Sequence, residues 1–189
     1  MNMKALTITR WILFTNYGWL IGILVVVGLA MLGEVIFKTS DDSGGQAIVG
    51  VGMGAGIGLM QWLVLRHHLQ GAVKWFLFYV TGFPFSFMAL DIVGSSTGLT
   101  VEVMLPFATV LGALLSAGLQ YQFLLKKLFP KSGWWLIYSC IAWLLAEVSS
   151  LSVTALNVHG FDNLPKVLVG VFALLMLCIG GPVLGFVTG

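Results

Sequence analysis

The chain has 189 residues, 59% hydrophobic and only 8% charged, with a mean hydropathy of +1.02. A water-soluble domain carries about a quarter charged residues, so so few charges cannot cover a water-facing surface. The length suits one domain, residues 1–189, and a net charge of +2, with the cations not clustered among exposed aromatics, gives no reason to expect nucleic acid as a partner.

Six apolar segments reach the ~20 residues that a helix needs to cross a bilayer: Trp11–Phe37, Gln46–Leu65, Trp75–Val93, Val101–Leu125, Trp134–Leu156 and Val167–Val187. The first is too long for a signal-peptide core and lacks a small-residue cleavage site, so it is expected to persist as a helix. The connections are short and turn-rich, which predicts antiparallel neighbours and an all-α integral membrane protein. Cys140 and Cys178 fall inside apolar segments and read as small buried hydrophobes.

The charges orient the segments. Lys4, Arg10, Arg66, Lys74, Lys126, Lys127 and Lys131 fall on one side without an acid among them. Asp41, Asp42, Glu102 and Asp162 fall on the other, with Lys38 and Lys166. Seven of nine cations on one side is a positive-inside pattern, which predicts cytoplasmic termini in a bacterial cytoplasmic membrane. Trp11, Trp62, Trp75, Trp134 and Trp135 sit near the cytoplasmic ends, as an aromatic belt would.

The second segment contains Gly54-Ala-Gly-Ile-Gly58-Leu-Met-Gln61-Trp-Leu-Val-Leu65-Arg66. Ala113, Ala117 and Gln120 repeat its spacing, and so do Gly181, Gly185 and Thr188. A shift of 59 residues superposes Gly54 on Ala113, Gly58 on Ala117, Gln61 on Gln120, Trp75 on Trp134 and Tyr79 on Tyr138. Glu34, Asp91 and Glu147 each stand near the outer end of an odd-numbered segment. The pattern predicts three tandem two-helix hairpins, at about 11–66, 75–127 and 134–189, parallel about an axis along the membrane normal.

The G-x-x-x-G-x-x-Q-W-L-V-L-R run, followed nine residues later by Trp75, resembles a group of uncharacterised bacterial multi-pass membrane proteins with repeated helices of that type. The full motif is present once. In the second unit Tyr121-Gln122-Phe123 replaces Trp-Leu-Val, and Leu125 stands at the arginine position. The resemblance implies the architecture and lends no activity.

Gly50, Gly54, Gly58, Gln61 and Leu65 fall within about 80° of one another on a helix. Small residues let backbones approach closely in lipid, so this stripe, like Ala113, Ala117, Gly181 and Gly185, reads first as helix packing. A groove that admits a ligand or lipid tail is the other reading. Gly58→Leu is accordingly expected to damage the fold more than Gly82→Leu. Of Gln120 and Gln122, about 200° apart, one should face the bundle.

A carboxylate within a membrane segment is a functional hypothesis by default. Glu34 and Asp91 lie within a turn or so of their outer helix ends, where water can solvate them. Glu147 lies deeper, about 20 Å past Trp134, with Ser149, Ser150, Ser152 and Thr154 after it. It either packs in protonated form or lines a cavity. An outer acidic layer and an inner amide layer of Gln61 and Gln120 are expected, ~15–20 Å apart in a ~30 Å core.

His67 and His68, beside Arg66 and Lys74, read as a solvated basic loop, with headgroup binding as the alternative. No HExxH, GxSxG or P-loop motif occurs, and no metal or cofactor is expected. Pro84 and Pro182 should kink their helices.

These features favour a non-enzymatic accessory or binding subunit for another membrane protein, a second copy, a lipid or a hydrophobic small molecule. The alternative is a transporter or channel component using Glu147, Asp91 and Glu34. Its size and helix number also resemble the substrate-binding subunits of energy-coupling-factor vitamin transporters, at the level of fold alone.

Overall fold

The computed structural model describes the backbone of residues 3–37, 45–128, 132–158 and 166–188. It describes the side chains of residues 8–33, 46–100, 103–127, 132–148, 175 and 178–188. The described residues are helical apart from short turns. The helices are α1 (Met3–Phe37), α2 (Gly45–Leu65), α3 (Val73–Thr97), α4 (Val101–Gln120), α5 (Trp134–Val158) and α6 (Lys166–Thr188). A π turn, Tyr121–Leu125, and a last helical turn, Lys126–Leu128, extend α4. α3 ends on Gly98, whose left-handed φ of 70° lets its N–H reach Gly94 O at 2.9 Å, the glycine cap that a helix end favours.

Four stretches are long and apolar enough to cross a membrane: Ile8–Gly33, Gln46–Leu65, Val73–Thr97 and Val103–Leu125. Within α5 and α6 the described apolar stretches are shorter, Trp134–Val148 and Cys178–Thr188. The polarity of the bundle is inverted relative to a water-soluble protein. Leu24, Phe85, Phe107 and Phe186 point outward, 60–77% exposed, while Thr15, Gln61, Ser86 and Gln120 are fully buried. Apolar exteriors of this kind suit hydrocarbon surroundings, and buried polar groups must then find partners inside. The chain is an all-helical membrane protein.

Each helix packs on the next in sequence, and α6 returns to pack on α1, closing a ring of six. Glycine makes the contacts close. In α2 it occupies every second position from Gly50 to Gly58, which gives the helix two smooth faces about 180° apart. Gly52 and Gly56 meet α1, where a Cβ on Gly56 would lie 2.5 Å from Gly22 N and against Gly18 O. Gly50, Gly54 and Gly58 meet α3, against Phe83 and Pro84, Tyr79 O, and the Tyr79 side chain. The Gly54 stripe is therefore a helix contact filled by α3, not an open groove. Gly181 and Gly185 seat α6 on Asn16 and Ile12 of α1. Gly82 is equally confined, by Ser116 of α4. Both glycines are therefore confined, and packing alone gives no ground for Gly58→Leu to be the more damaging of the two.

Aromatic and small polar residues fill the axis in layers four residues apart along α1, α3 and α5, a step that keeps one helix face inward. Trp11, Trp75 and Trp135 meet with ring centroids 5.1–6.4 Å apart. Next come Thr15, Tyr79 and Ser139, at most 1% exposed, and then Trp19, Phe83 and Trp143. Trp143 packs at a tilt, its ring centroid 4.2 Å from that of Phe83 and 6.0 Å from that of Trp19. The 59-residue shift slips here, because Trp134 and Tyr138 are 59% and 49% exposed while Trp135 and Ser139 point inward. The slip coincides with the π turn, whose wider coil takes up one extra residue. Leu124 consequently takes the buried place that Val64 holds in α2, 60 residues earlier.

Candidate functional site

The layer of three tryptophans is locked by polar groups from the even-numbered helices. Trp75 Nε1 donates to Gln61 Oε1 at 3.0 Å, and Trp135 Nε1 donates to Gln120 Oε1 at 2.8 Å. Trp11 Nε1 donates to Thr188 Oγ1 at 3.0 Å, which joins the first helix to the last. Gln61 also donates through Nε2 to Thr15 Oγ1 at 3.3 Å, so one amide ties α1, α2 and α3 together. The Tyr79 hydroxyl lies toward Gln61, Gln120 and Trp143. Gln122 points outward and is exposed. In this layer the amides serve as structural ties, each satisfying an indole N–H that burial would otherwise strand. Arg10, Arg66, Lys74, Lys126 and Lys127 are exposed at this same end of the ring.

The three carboxylates do not form a layer. Glu147, Asp91 and Glu34 stand 12, 16 and 23 residues beyond Trp135, Trp75 and Trp11, about 18, 24 and 35 Å along the helices. The Glu34 side chain lies outside the described residues. The other two have different surroundings, so they do different work.

Glu147 is 7% exposed. It stands one turn beyond Trp143, where α1 carries Ile23 and α3 carries Phe87. Its Oε2 accepts from Thr109 Oγ1 at 3.1 Å, and its Oε1 is buried without a hydrogen bond. Thr109 is thus the one hydrogen-bond partner of this carboxyl among the described residues. Thr109 was not singled out in the sequence. It lies four residues before Ala113 and eight before Ala117, so extending the small-residue stripe by one turn would have found it.

Compared with known proteins, the chain matches no family model, no curated sequence and no solved structure. The site is therefore read from its own geometry.

Asp91 is half-buried and lies against the backbone N–H groups of Gln46 and Ala47, in the first turn of α2. A carboxylate there satisfies stranded amide donors and meets the positive end of the helix dipole. Its Oδ2 makes no hydrogen bond. Beside it opens a cavity of about 590 Å³ between the start of α2, the end of α3 and the start of α4. Phe87, Met88, Leu90, Met104, Leu105 and Ala108 line its walls, and Gln46, Asp91 and Ser95 supply its polar groups. The deepest wall residues, Phe87 and Ala108, adjoin the Glu147 level: Ala108 precedes Thr109 in the chain. The volume falls in the range of small-molecule sites, which run ~300–1,000 Å³ with apolar walls and few polar groups.

The arrangement offers apolar burial, one carboxyl oxygen without a hydrogen bond and two neutral polar side chains. Among the described residues no group of three His, Cys, Asp or Glu could hold a metal ion. Cys140 and Cys178 are partly buried free thiols. The geometry brings Asp91 to a cavity edge, puts Glu147 behind the cavity with Thr109, and keeps Gln61 and Gln120 at the opposite end of the ring.

Proposed function

We propose that this chain is a non-enzymatic binding subunit of the bacterial cytoplasmic membrane, made of three tandem helical hairpins, that takes an amphipathic or hydrophobic small molecule into the cavity beside Asp91. The cavity carries this reading. Its walls come from three helices, it is large enough for a lipid tail or a compact amphiphile, and its polar groups gather at one edge. An apolar body would lie along Phe87, Met104 and Leu105. A hydroxyl, amine or ammonium head would face the unpaired Asp91 oxygen. The bundle could also present its apolar exterior to a second membrane protein or a second copy. With both termini cytoplasmic, as the basic loops favour, the cavity opens toward the outer leaflet.

Two measurements test this. Native mass spectrometry of gently purified protein should show a co-purifying small molecule that Ala108→Phe removes by filling the cavity. Leu114→Phe, on the exposed outer face, should retain it. No bound molecule in the parent protein, or equal occupancy in both variants, would sink the proposal. In intact cells a membrane-impermeant thiol reagent should modify Thr97→Cys, at the cavity end, and not Gly71→Cys, in the basic loop. The reverse pattern would turn the cavity to the cytoplasm.

The rival reading, a proton- or cation-coupled transporter component, rests on Glu147, whose unpaired buried oxygen is the best single argument for it. Against it stands the aromatic layer of Trp19, Phe83 and Trp143, which lies between Glu147 and the polar layer of Thr15, Tyr79 and Ser139. Glu147→Gln should fold with normal thermal stability and bind the cavity ligand with unchanged affinity at every pH. A well-folded Glu147→Gln protein that loses a pH- or cation-dependent step would favour the transporter instead.

A further inference from the structure

At the opposite end of the ring a second hollow, about 480 Å³, opens where α2 leaves its apolar span. It is lined by Trp62, Arg66, His67 and His68, with the rest of the turn that leads into α3. The turn is tightly built: His68 N and Leu69 N both reach Leu65 O at 2.8 Å, and Gly71 takes a left-handed φ of 75°. Arg66 is held from two sides. Its Nε donates to His67 Nε2 at 3.1 Å, and its guanidinium carbon lies 5.8 Å from the Trp62 ring centroid. The two terminal nitrogens of the guanidinium meet no protein acceptor among the described residues. Lys74 stands exposed one residue beyond the lining, and none of the seven acids falls between Arg66 and Lys74.

We propose that this hollow binds the phosphate of an anionic phosphodiester, the headgroup linkage of an acidic phospholipid. Three observations converge on it. A guanidinium fork fixed through Nε keeps its two outer nitrogens for a bidentate acceptor, the geometry that phosphate oxygens match. Two imidazoles that line the same hollow add donors and no carboxylate competes. Trp62 and the end of α2 put the group at the depth where headgroup phosphates lie, as interfacial tryptophans do. This site is independent of the cavity beside Asp91, at the other end of the molecule.

The test uses the whole protein in nanodiscs of equal phosphatidylglycerol and phosphatidylcholine, released and weighed by native mass spectrometry. The parent protein should retain phosphatidylglycerol over phosphatidylcholine by roughly tenfold, because both carry the phosphodiester but the choline cation would stand beside Arg66 and Lys74 with no acid to offset it. Arg66→Gln with His67→Asn and His68→Asn should bring that ratio near one. Lys126→Gln with Lys127→Gln, which removes the same end's charge elsewhere, should leave it unchanged. Competition by excess inorganic phosphate separates the sources: displacement of the lipid assigns the site to a free phosphate group, and retention assigns it to the lipid. No preference in the parent protein overturns the proposal. Equal loss in the lysine pair also overturns it, because the attraction would then be diffuse and not built into the hollow.

Discussion

Gly56→Leu is expected to prevent the ring from closing. At this position a Cβ alone would meet Gly22 N at 2.5 Å and Gly22 Cα at 2.7 Å, with Gly18 O against it as well. All three are backbone atoms, so no side chain can rotate away, and the two helices would have to separate. Overpacking of a tight core costs about 1–3 kcal/mol even where side chains can yield. Here the loss should reach about 3 kcal/mol or more, seen as a large fall in melting temperature in detergent or as no monodisperse protein. Gly28→Leu is the control in the same helix pair. A Cβ there meets nothing within 4 Å, and the change should stay within about 0.5 kcal/mol. Equal effects at the two positions would mean that α1 and α2 do not approach as described.

The second large effect is expected at Gln61. Leucine there keeps the volume and removes both the acceptor of the Trp75 indole and the donor to Thr15. Trp75 is 3% exposed, so its N–H would be left without water or protein, at a cost of about 2 kcal/mol. Adding Trp75→Phe removes the stranded donor. The double variant should therefore lose less than the sum of the two single losses, by about 1 kcal/mol. Gln122→Leu, two residues past the equivalent Gln120 and exposed, should be nearly silent. Thermal unfolding of the parent and the four variants in one detergent decides the matter. Strict additivity would show that the amide and the indole do not depend on each other.

These two positions show what a residue pattern can and cannot convey. That the chain is a bundle of apolar helices was legible, because length and hydropathy are properties of single segments. The inward face of Gln61 was legible too, since an amide in line with small residues at every fourth place has one face to share. The second glycine face of α2 was not. The four-residue stripe through Gly54 drew the eye from Gly52 and Gly56, and also from Gly18 and Gly22, which form their own small-xxx-small pair in α1. The inward turn of Trp135 in place of Trp134 was hidden because a π turn changes the count of residues without changing their character. The Asp91 cavity is formed by the start of one helix, the end of the next and the start of a third. No local run of residues announces such a space. Depth along the helix set Glu147 apart from Asp91 and Glu34 in the sequence, but the neighbour across the bundle, a helix start for Asp91 and Thr109 for Glu147, was not legible.

The contact between α6 and α1 has a consequence for the order of the chain. Trp11 and Thr188 are 177 residues apart and joined by a 3.0 Å hydrogen bond at one end of the ring. Gly181 and Gly185 make that junction as close as those between helices linked by a turn. Among the described residues the α6–α1 junction is therefore packed like those between sequential helices. A chain that began at α4, ran through α6 into α1 and finished with α3 would bury the same surfaces. The turn at Gly98, Leu99 and Thr100 would carry the break, at the expense of the α3 cap, the Thr100 carbonyl that receives the first N–H groups of α4, and the Leu99 wall of the cavity.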